Sequence, residues 1–304
     1  MSHSYAARRL FPFLAAAVPC IMWCCFAAGC DRQSRSPTAP STAPATAHPT
    51  VASLVPAATD ILLDMGAGDH LVAVSNYDVP RAGIRNLPKV GDYQTVDWEQ
   101  IATLRPELMV TQYAENRMPQ GLRQRQAGLG VRSVNIHIDS LEDIFKAYET
   151  LGDAVGEPGK ARAARDRLRG RLDALRGAAK GRQPVSVLIA IDPTGLSLAG
   201  PGTFLDGLLP YIGATNAAAS LNNPYPGIDR ELLRSLDPDV IFQLLPGEPP
   251  QVVDEARRVW ASMPELKAVK KRHVFIFTDW YLLQPGPHVV ELAEKMQGEM
   301  KNDE

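Results

Sequence analysis

Two stretches decide the fold: Asp97-Trp98-Glu99-Gln100-Ile101-Ala102-Thr103-Leu104-Arg105-Pro106-Glu107-Leu108-Met109-Val110, and Asp229-Arg230-Glu231-Leu232-Leu233-Arg234-Ser235-Leu236-Asp237-Pro238-Asp239-Val240-Ile241-Phe242. They align without a gap. The first Asp, the Glu, the last Leu of the helix and the Pro match in place, and an acid follows each Pro. Each copy predicts a helix, a Pro-acid turn and a buried strand, because proline stops a helix and holds its predecessor extended. Such a repeat is most economically two similar α/β lobes. Lobes of this kind leave a cleft where the C-terminal ends of their strands meet, and open α/β sheets bind ligands there.

Between the copies, Ser140 with Asp143 predicts a capping box, and Ile144, Tyr148, Leu151 and Val155 line one helical face. Gly156-Glu157-Pro158-Gly159 breaks that helix, and Pro158 opens another running to about Lys180. Proline suits the first helical turn. The second helix has a thin apolar stripe of Ala164, Leu168, Leu172 and Leu175, as expected of a strut between lobes or of a surface helix. On either side, short apolar strands alternate with helices: Val51–Val55, Leu71–Val74, Leu108–Val110 and Val131–Ile136, then Val185–Ile191, Val240–Phe242 and Val274–Phe277. The expected fold class is α/β, two Rossmann-like lobes joined by a single long α-helix. The expected divisions are 51–139 for the N-terminal lobe, 140–181 for the helical linker and 182–304 for the C-terminal lobe.

Upstream, Arg8-Arg9 precedes an apolar run that ends in Ala27-Ala28-Gly29-Cys30. A basic start, an apolar middle and a small-residue end make an export signal, expected over 1–29, and the Ala-Ala-Gly-Cys end resembles the lipobox of bacterial lipoproteins. An uncleaved anchor is the other reading, although Pro19 interrupts a run barely reaching the about 20 residues a bilayer needs. Residues 30–50 are mostly Ser, Thr, Ala and Pro, expected to be a disordered tether. All four cysteines, Cys20, Cys24, Cys25 and Cys30, precede the folded part, so nothing beyond Cys30 can form a disulfide.

The chain has 304 residues, 45% hydrophobic and 22% charged, which excludes a wholly disordered or collagen-like protein. Its net charge of -2 offers no basic surplus for a phosphate backbone, so nucleic acid is not an expected partner. No two histidines stand at i, i+4, and His137 with Asp139 is the only close pair, so no metal site is expected. Gly200-Pro201-Gly202-Thr203 precedes a helix and could accept an anion, but lacks the lysine of a P-loop. No Gly-x-Ser-x-Gly elbow occurs, and no catalytic residue or cofactor is expected.

Several blocks, in this order and spacing, resemble the helical-backbone periplasmic substrate-binding proteins of ABC importers, the family of the vitamin B12, ferric-siderophore and haem binding proteins. They are Val51–Val55 with Pro56, Thr59-Asp60, Val72-Ala73-Val74, Pro80, Val90-Gly91, the Glu99-to-Val110 block, Ala199–Phe204, Asp237–Ile241 and Pro285-Gly286-Pro287. The resemblance spans nearly all of Val51 to Met300. It implies a monomer in the periplasm or cell envelope, held to the membrane through lipid on Cys30, that hands a cobalamin-like or iron-chelate ligand to permease and ATPase subunits. An exported enzyme using Asp279 or Asp192 as acid/base is the alternative, without a second catalytic group at a recognisable spacing.

Positions just past strand ends are the candidates for ligand contact: Asn76, Tyr77, Tyr93 with Gln94, Gln112 and Tyr113 in the first lobe, and Tyr225, Asp279, Trp280 and Tyr281 in the second. The resemblance places aromatics at Tyr93 and Tyr225 and an acid at Asp279. Flat aromatic faces suit a large planar or macrocyclic ligand. The loops offer few arginines, Arg81 and Arg117, which favours a corrinoid over an anionic siderophore, while Tyr113, Tyr225 or Tyr281 as an iron ligand keeps haem open. Glu231 matches a family glutamate that docks into arginine pockets of the permease, and Glu115 is the candidate counterpart in the first lobe.

Overall fold

The computed structural model describes residues 48–301 except 115, 116 and 118, and only the backbone of 120. The expected signal, most of the tether, Cys30 and Glu115 lie outside the described residues. Among the described residues, no helix is long and apolar enough to cross a membrane.

The N-terminal lobe runs β1 (Val51–Ser53), α1 (Pro56–Asp64), β2 (Leu71–Ala73), α2 (Trp98–Leu104), β3 (Leu108–Thr111), α3 (Gln120–Gly128) and β4 (Arg132–Asn135). Two helices follow, α4 (Leu141–Val155) and α5 (Pro158–Ala179). The C-terminal lobe runs β5 (Val185–Ala190), α6 (Phe204–Leu208), β6 (Ala214–Asn216), α7 (Arg230–Leu236), β7 (Val240–Leu244), α8 (Pro250–Ala261), α9 (Lys267–Lys270), β8 (Val274–Phe277) and α10 (Val289–Lys301). The strands form two separate four-stranded sheets, ordered β2-β1-β3-β4 and β6-β5-β7-β8. Every pairing is parallel, with Val51 opposite Leu108 in one sheet and Val187 opposite Val240 in the other. Identical order in both halves is what a duplicated unit produces.

The duplicated stretch folds the same way twice. Asp97 and Asp229 each cap their helix by accepting a backbone N–H, from Gln100 at 3.0 Å and Leu232 at 2.8 Å. Ile101 and Leu233 are each the fully buried residue of that helix. The chain leaves through a left-handed residue, Arg105 at φ 47° and Asp237 at φ 38°, before the Pro-acid turn and the buried strand.

Strand alternation divides the core. Val51, Leu108 and Val110 of one sheet, and Val187, Ile189, Val240 and Phe242 of the other, join a single cluster with α1, α4, α5 and α10. The opposite faces form two satellites: Ala52 and Met109 under α2 and α3, and Leu188 and Ile241 under α7 and α8. The long α5 is therefore not a free strut. Ala161, Ala164, Leu168 and Leu172 are buried in the shared core, and on its outer side Arg167 reaches Asp64 of α1 at 2.9 Å while Arg171 reaches Glu291 and Glu294 of α10 at 2.9 and 2.8 Å. These exposed pairs add little each; the buried stripe carries the joint. The capping box of Ser140 and Asp143 is formed, and Gly156 ends α4 in the left-handed region at φ 78°.

Candidate functional site

The predicted residues separate into two groups. The first lies at the C-terminal edges of the sheets. After β2, Asn76 and Tyr77 are exposed, and the Tyr77 ring lies 6.2 Å from that of Tyr93. Tyr93 owes its position to a tight turn. Asp92 accepts from the Gln94 and Thr95 backbone amides at 2.8 and 2.9 Å. Gly91 bends the chain at φ 100°, where a Cβ would stand 2.0 Å from the Thr95 carbonyl oxygen, so no other residue fits. Asn76 leans on the same aspartate at 3.5 Å, and the Tyr113 hydroxyl donates to the Tyr93 carbonyl at 2.5 Å. Gln112 is half-buried beside it, and Gln94 donates to the Tyr93 hydroxyl at 3.3 Å. Asn135, at the end of β4, was not a sequence candidate; it fixes Tyr113 by accepting from its N–H at 2.9 Å and donating to its carbonyl at 2.8 Å.

Tyr225 is the counterpart in the second lobe. It stands 132 residues after Tyr93, the same offset that relates the two repeat copies, and each tyrosine precedes its capping aspartate by four residues. Tyr93 is 47% exposed and Tyr225 51%. Their loops are built differently. The Tyr225 loop lies along residues 197–200, with Leu198 and Gly200 donating to the Pro226 and Pro224 carbonyls at 3.0 and 2.8 Å. Gly200 permits that approach, since a Cβ there would meet the Asn223 carbonyl oxygen at 2.3 Å. Burial and the charge of Asp139 raise the Tyr225 phenol above its ordinary pKa, and burial and Asp92 do the same to Tyr113.

The second group sits at the junction of the lobes. Trp280 has ring partners Tyr281 at 5.7 Å and His288 at 5.1 Å, and the Arg81 guanidinium lies 4.9 Å from its centroid. Tyr281 stacks on His288 at 5.0 Å, and burial, with the charges of Asp279 and Glu291, raises its phenol. Arg81 also pairs with Asp60 of α1, and Gln284 from the second lobe donates to the same carboxylate. Burial pushes the Asp60 carboxyl up to about 6 against the pull of Arg81. A pocket of about 490 Å³ opens here, lined by Asp60, Arg81, Arg171, Trp280, His288 and Glu291. None of the tyrosines at the sheet edges lines it.

Three expectations shift. Asp279 is ion-paired with Lys295 of α10, a partner the sequence did not suggest. Asp192 folds back on its own loop, accepting from the Leu196 and Ser197 amides at 3.1 and 3.0 Å; both acids of the alternative enzymatic reading are thus engaged in structure. The Gly200–Thr203 turn offers no anion site, because the Asp206 carboxylate already accepts from Gly202 at 3.0 Å. His137 and Asp139 form an exposed pair at 2.8 Å. Glu231 is exposed at the second position of α7, and its equivalent by the repeat is Glu99, exposed at the second position of α2.

The family profile described as "Periplasmic binding protein" matches residues 51–280. The chain belongs to this family. It is a solute-binding protein of the ABC-importer type, with a binding rather than a catalytic role, and the periplasm or cell envelope is the place the family implies. It is 28% identical over 247 residues to the vitamin B12-binding protein of Vibrio cholerae, covering 81% of this chain and 87% of that one. The crystal structure of the periplasmic vitamin B12 binding protein of Vibrio cholerae superposes with a TM-score of 0.67 at 26% identity, over 84% of this chain and 97% of that one. A periplasmic haem binding protein from Pseudomonas aeruginosa shares the fold, with a TM-score of 0.68 at 24% identity over 82% and 91% of the two chains. Two lobes joined through the α4–α5 helices are the architecture of these structures.

Proposed function

We propose that the chain binds a corrinoid between its lobes and hands it to an ABC importer, held at the membrane by lipid on Cys30. The carrying observation is the pair Tyr93 and Tyr225, two exposed aromatic rings at equivalent places on the two sheet edges, with Tyr77 beside the first. An exposed aromatic cluster on rigid turns needs an occupant, and rings bury large area at small entropic cost. Asn76, Gln112 and Tyr113 complete the contact surface on the first lobe. Asp279, Trp280 and Tyr281 close it at the junction, where Trp280 reports on occupancy.

Two features favour a corrinoid over an iron chelate. An anionic siderophore needs arginines, whereas Arg81 is committed to Asp60 and Asp78 and the cleft edges carry Asp92 and Asp139. A haem held through a tyrosine needs a free phenol oxygen, whereas the Tyr113 hydroxyl already donates to the Tyr93 carbonyl at 2.5 Å. Glu231 and its equivalent Glu99 are proposed as the two acids that meet the permease, one per lobe.

Titration with cyanocobalamin, haemin and ferric siderophores, followed by Trp280 fluorescence, tests the reading. Cyanocobalamin should bind one-to-one with Kd below about 10 μM, near 7 kcal/mol of affinity. Preferential binding of haemin or a siderophore replaces the corrinoid; binding of none of them removes the ligand class altogether.

A further inference from the structure

Where the described chain enters the N-terminal lobe, three side chains remote in sequence converge. They are His48, ahead of β1, His70, at the end of the turn before β2, and Glu157, between α4 and α5; one ligating atom of each lies within 4.8 Å of the others. Their supports are fixed. The Glu157 amide donates to the Gly152 carbonyl at 2.8 Å at the helix junction. Residues just after His48 join the sheet, Leu108 donating to the Thr50 carbonyl at 2.9 Å. The His48 ring meets the His70 ring edge-on, centroids 5.0 Å apart.

His70 sets its own tautomer. Its Nδ1 lies 3.0 Å from the Pro49 carbonyl oxygen. A carbonyl only accepts, so Nδ1 carries a proton, and in the neutral ring Nε2 then holds the lone pair. The residue is 1% exposed, and Nε2 is buried with no hydrogen-bond partner. One ring nitrogen donating to a backbone carbonyl while the other is bare is how metal-bound histidines are held. Glu157 supplies the negative charge. Lys160 engages one oxygen, Oε1, at 2.9 Å, leaving Oε2 for another partner.

We propose that His48, His70 and Glu157 bind one late first-row divalent cation, zinc foremost, with water as fourth ligand. Two imidazoles and a carboxylate are a zinc donor set with one open position. The cation would clip the C-terminal end of the Ser/Thr/Ala/Pro-rich segment to the root of α5. No element of the corrinoid reading enters this site.

The test uses the full chain, stripped of metal by chelator and with Cys20, Cys24, Cys25 and Cys30 alkylated so that no thiolate competes. Calorimetric titration with ZnCl2 is expected to show one equivalent bound at micromolar Kd and a raised Tm. His48→Ala removes an exposed ring and leaves the core intact; it and Glu157→Gln should each weaken zinc at least about 10-fold. Their circular dichroism should match the unsubstituted chain, and His48→Ala should leave cyanocobalamin affinity unchanged. Zinc binding weaker than about 1 mM, or weakened less than about threefold by either variant, overturns the proposal.

Discussion

The two lobes share a frame and differ in what they mount on it. Asp97 and Asp229 cap the same helix, Ile101 and Leu233 bury the same side, and Arg105 and Asp237 turn the chain with the same left-handed residue. On that frame the first lobe gathers Tyr77, Tyr93 and Tyr113. The second shows Tyr225 alone at its edge, with buried Leu245 where Tyr113 stands in the first and Gln243 pairing inward with Trp260 at 2.8 Å. Backbone equivalence thus follows from a short motif, whereas the ligand face is asymmetric because it depends on single residues in the loops.

The strongest test of the shared frame is the pair Ile101→Ala and Leu233→Ala. Each deletes a fully buried aliphatic side chain and should cost about 2–5 kcal/mol, by similar amounts in urea unfolding. A several-fold disparity between them would show that only one copy supports its lobe. On the ligand face, Tyr93→Ala with Tyr225→Ala should weaken cyanocobalamin at least about 100-fold, near 2.7 kcal/mol. Either substitution alone should lose a measurable part, since both rings are engaged; a silent Tyr225→Ala would leave recognition to the first lobe.

Asp60 joins the lobes through Arg81 and Gln284, and its carboxyl is raised by burial from 3.8 to about 6. A raised acid binds more protons folded than unfolded, so its contribution is fully present below about pH 4 and is lost as pH rises through about 6. Asp60→Asn should therefore gain on the unsubstituted chain by about 2 kcal/mol between pH 4 and pH 7. Parallel stability profiles for the two would contradict a buried, raised carboxyl. The smallest effect separates the two left-handed turns. Arg105→Gly should stabilise by up to about 1 kcal/mol by relieving the positive φ. Asp237→Gly should show less gain, because Asp237 also accepts from the Lys267 amide at 2.9 Å; thermal denaturation compares them.

Periodicity and punctuation carried most of the architecture. The strands of the repeat, the capping box at Ser140 and the helix from Pro158 are where local sequence and fold agree. Helix α1 starts at Pro56, where proline suits the first turn. The three-residue strand Ala214–Asn216 has too short a pattern to read. By contrast, α8 has a stripe at helical spacing, Val253, Ala256 and Trp260, that the sequence itself displays. Site partners were harder to see, because Lys295 on Asp279, Asn135 on Tyr113 and the meeting of His48, His70 and Glu157 arise only from tertiary packing.

A crystal structure of the chain with cyanocobalamin tests the central claim most directly. The macrocycle should lie between the sheet edges, in ring contact with both Tyr93 and Tyr225. A corrinoid bound elsewhere, with both tyrosines left in solvent, would contradict it.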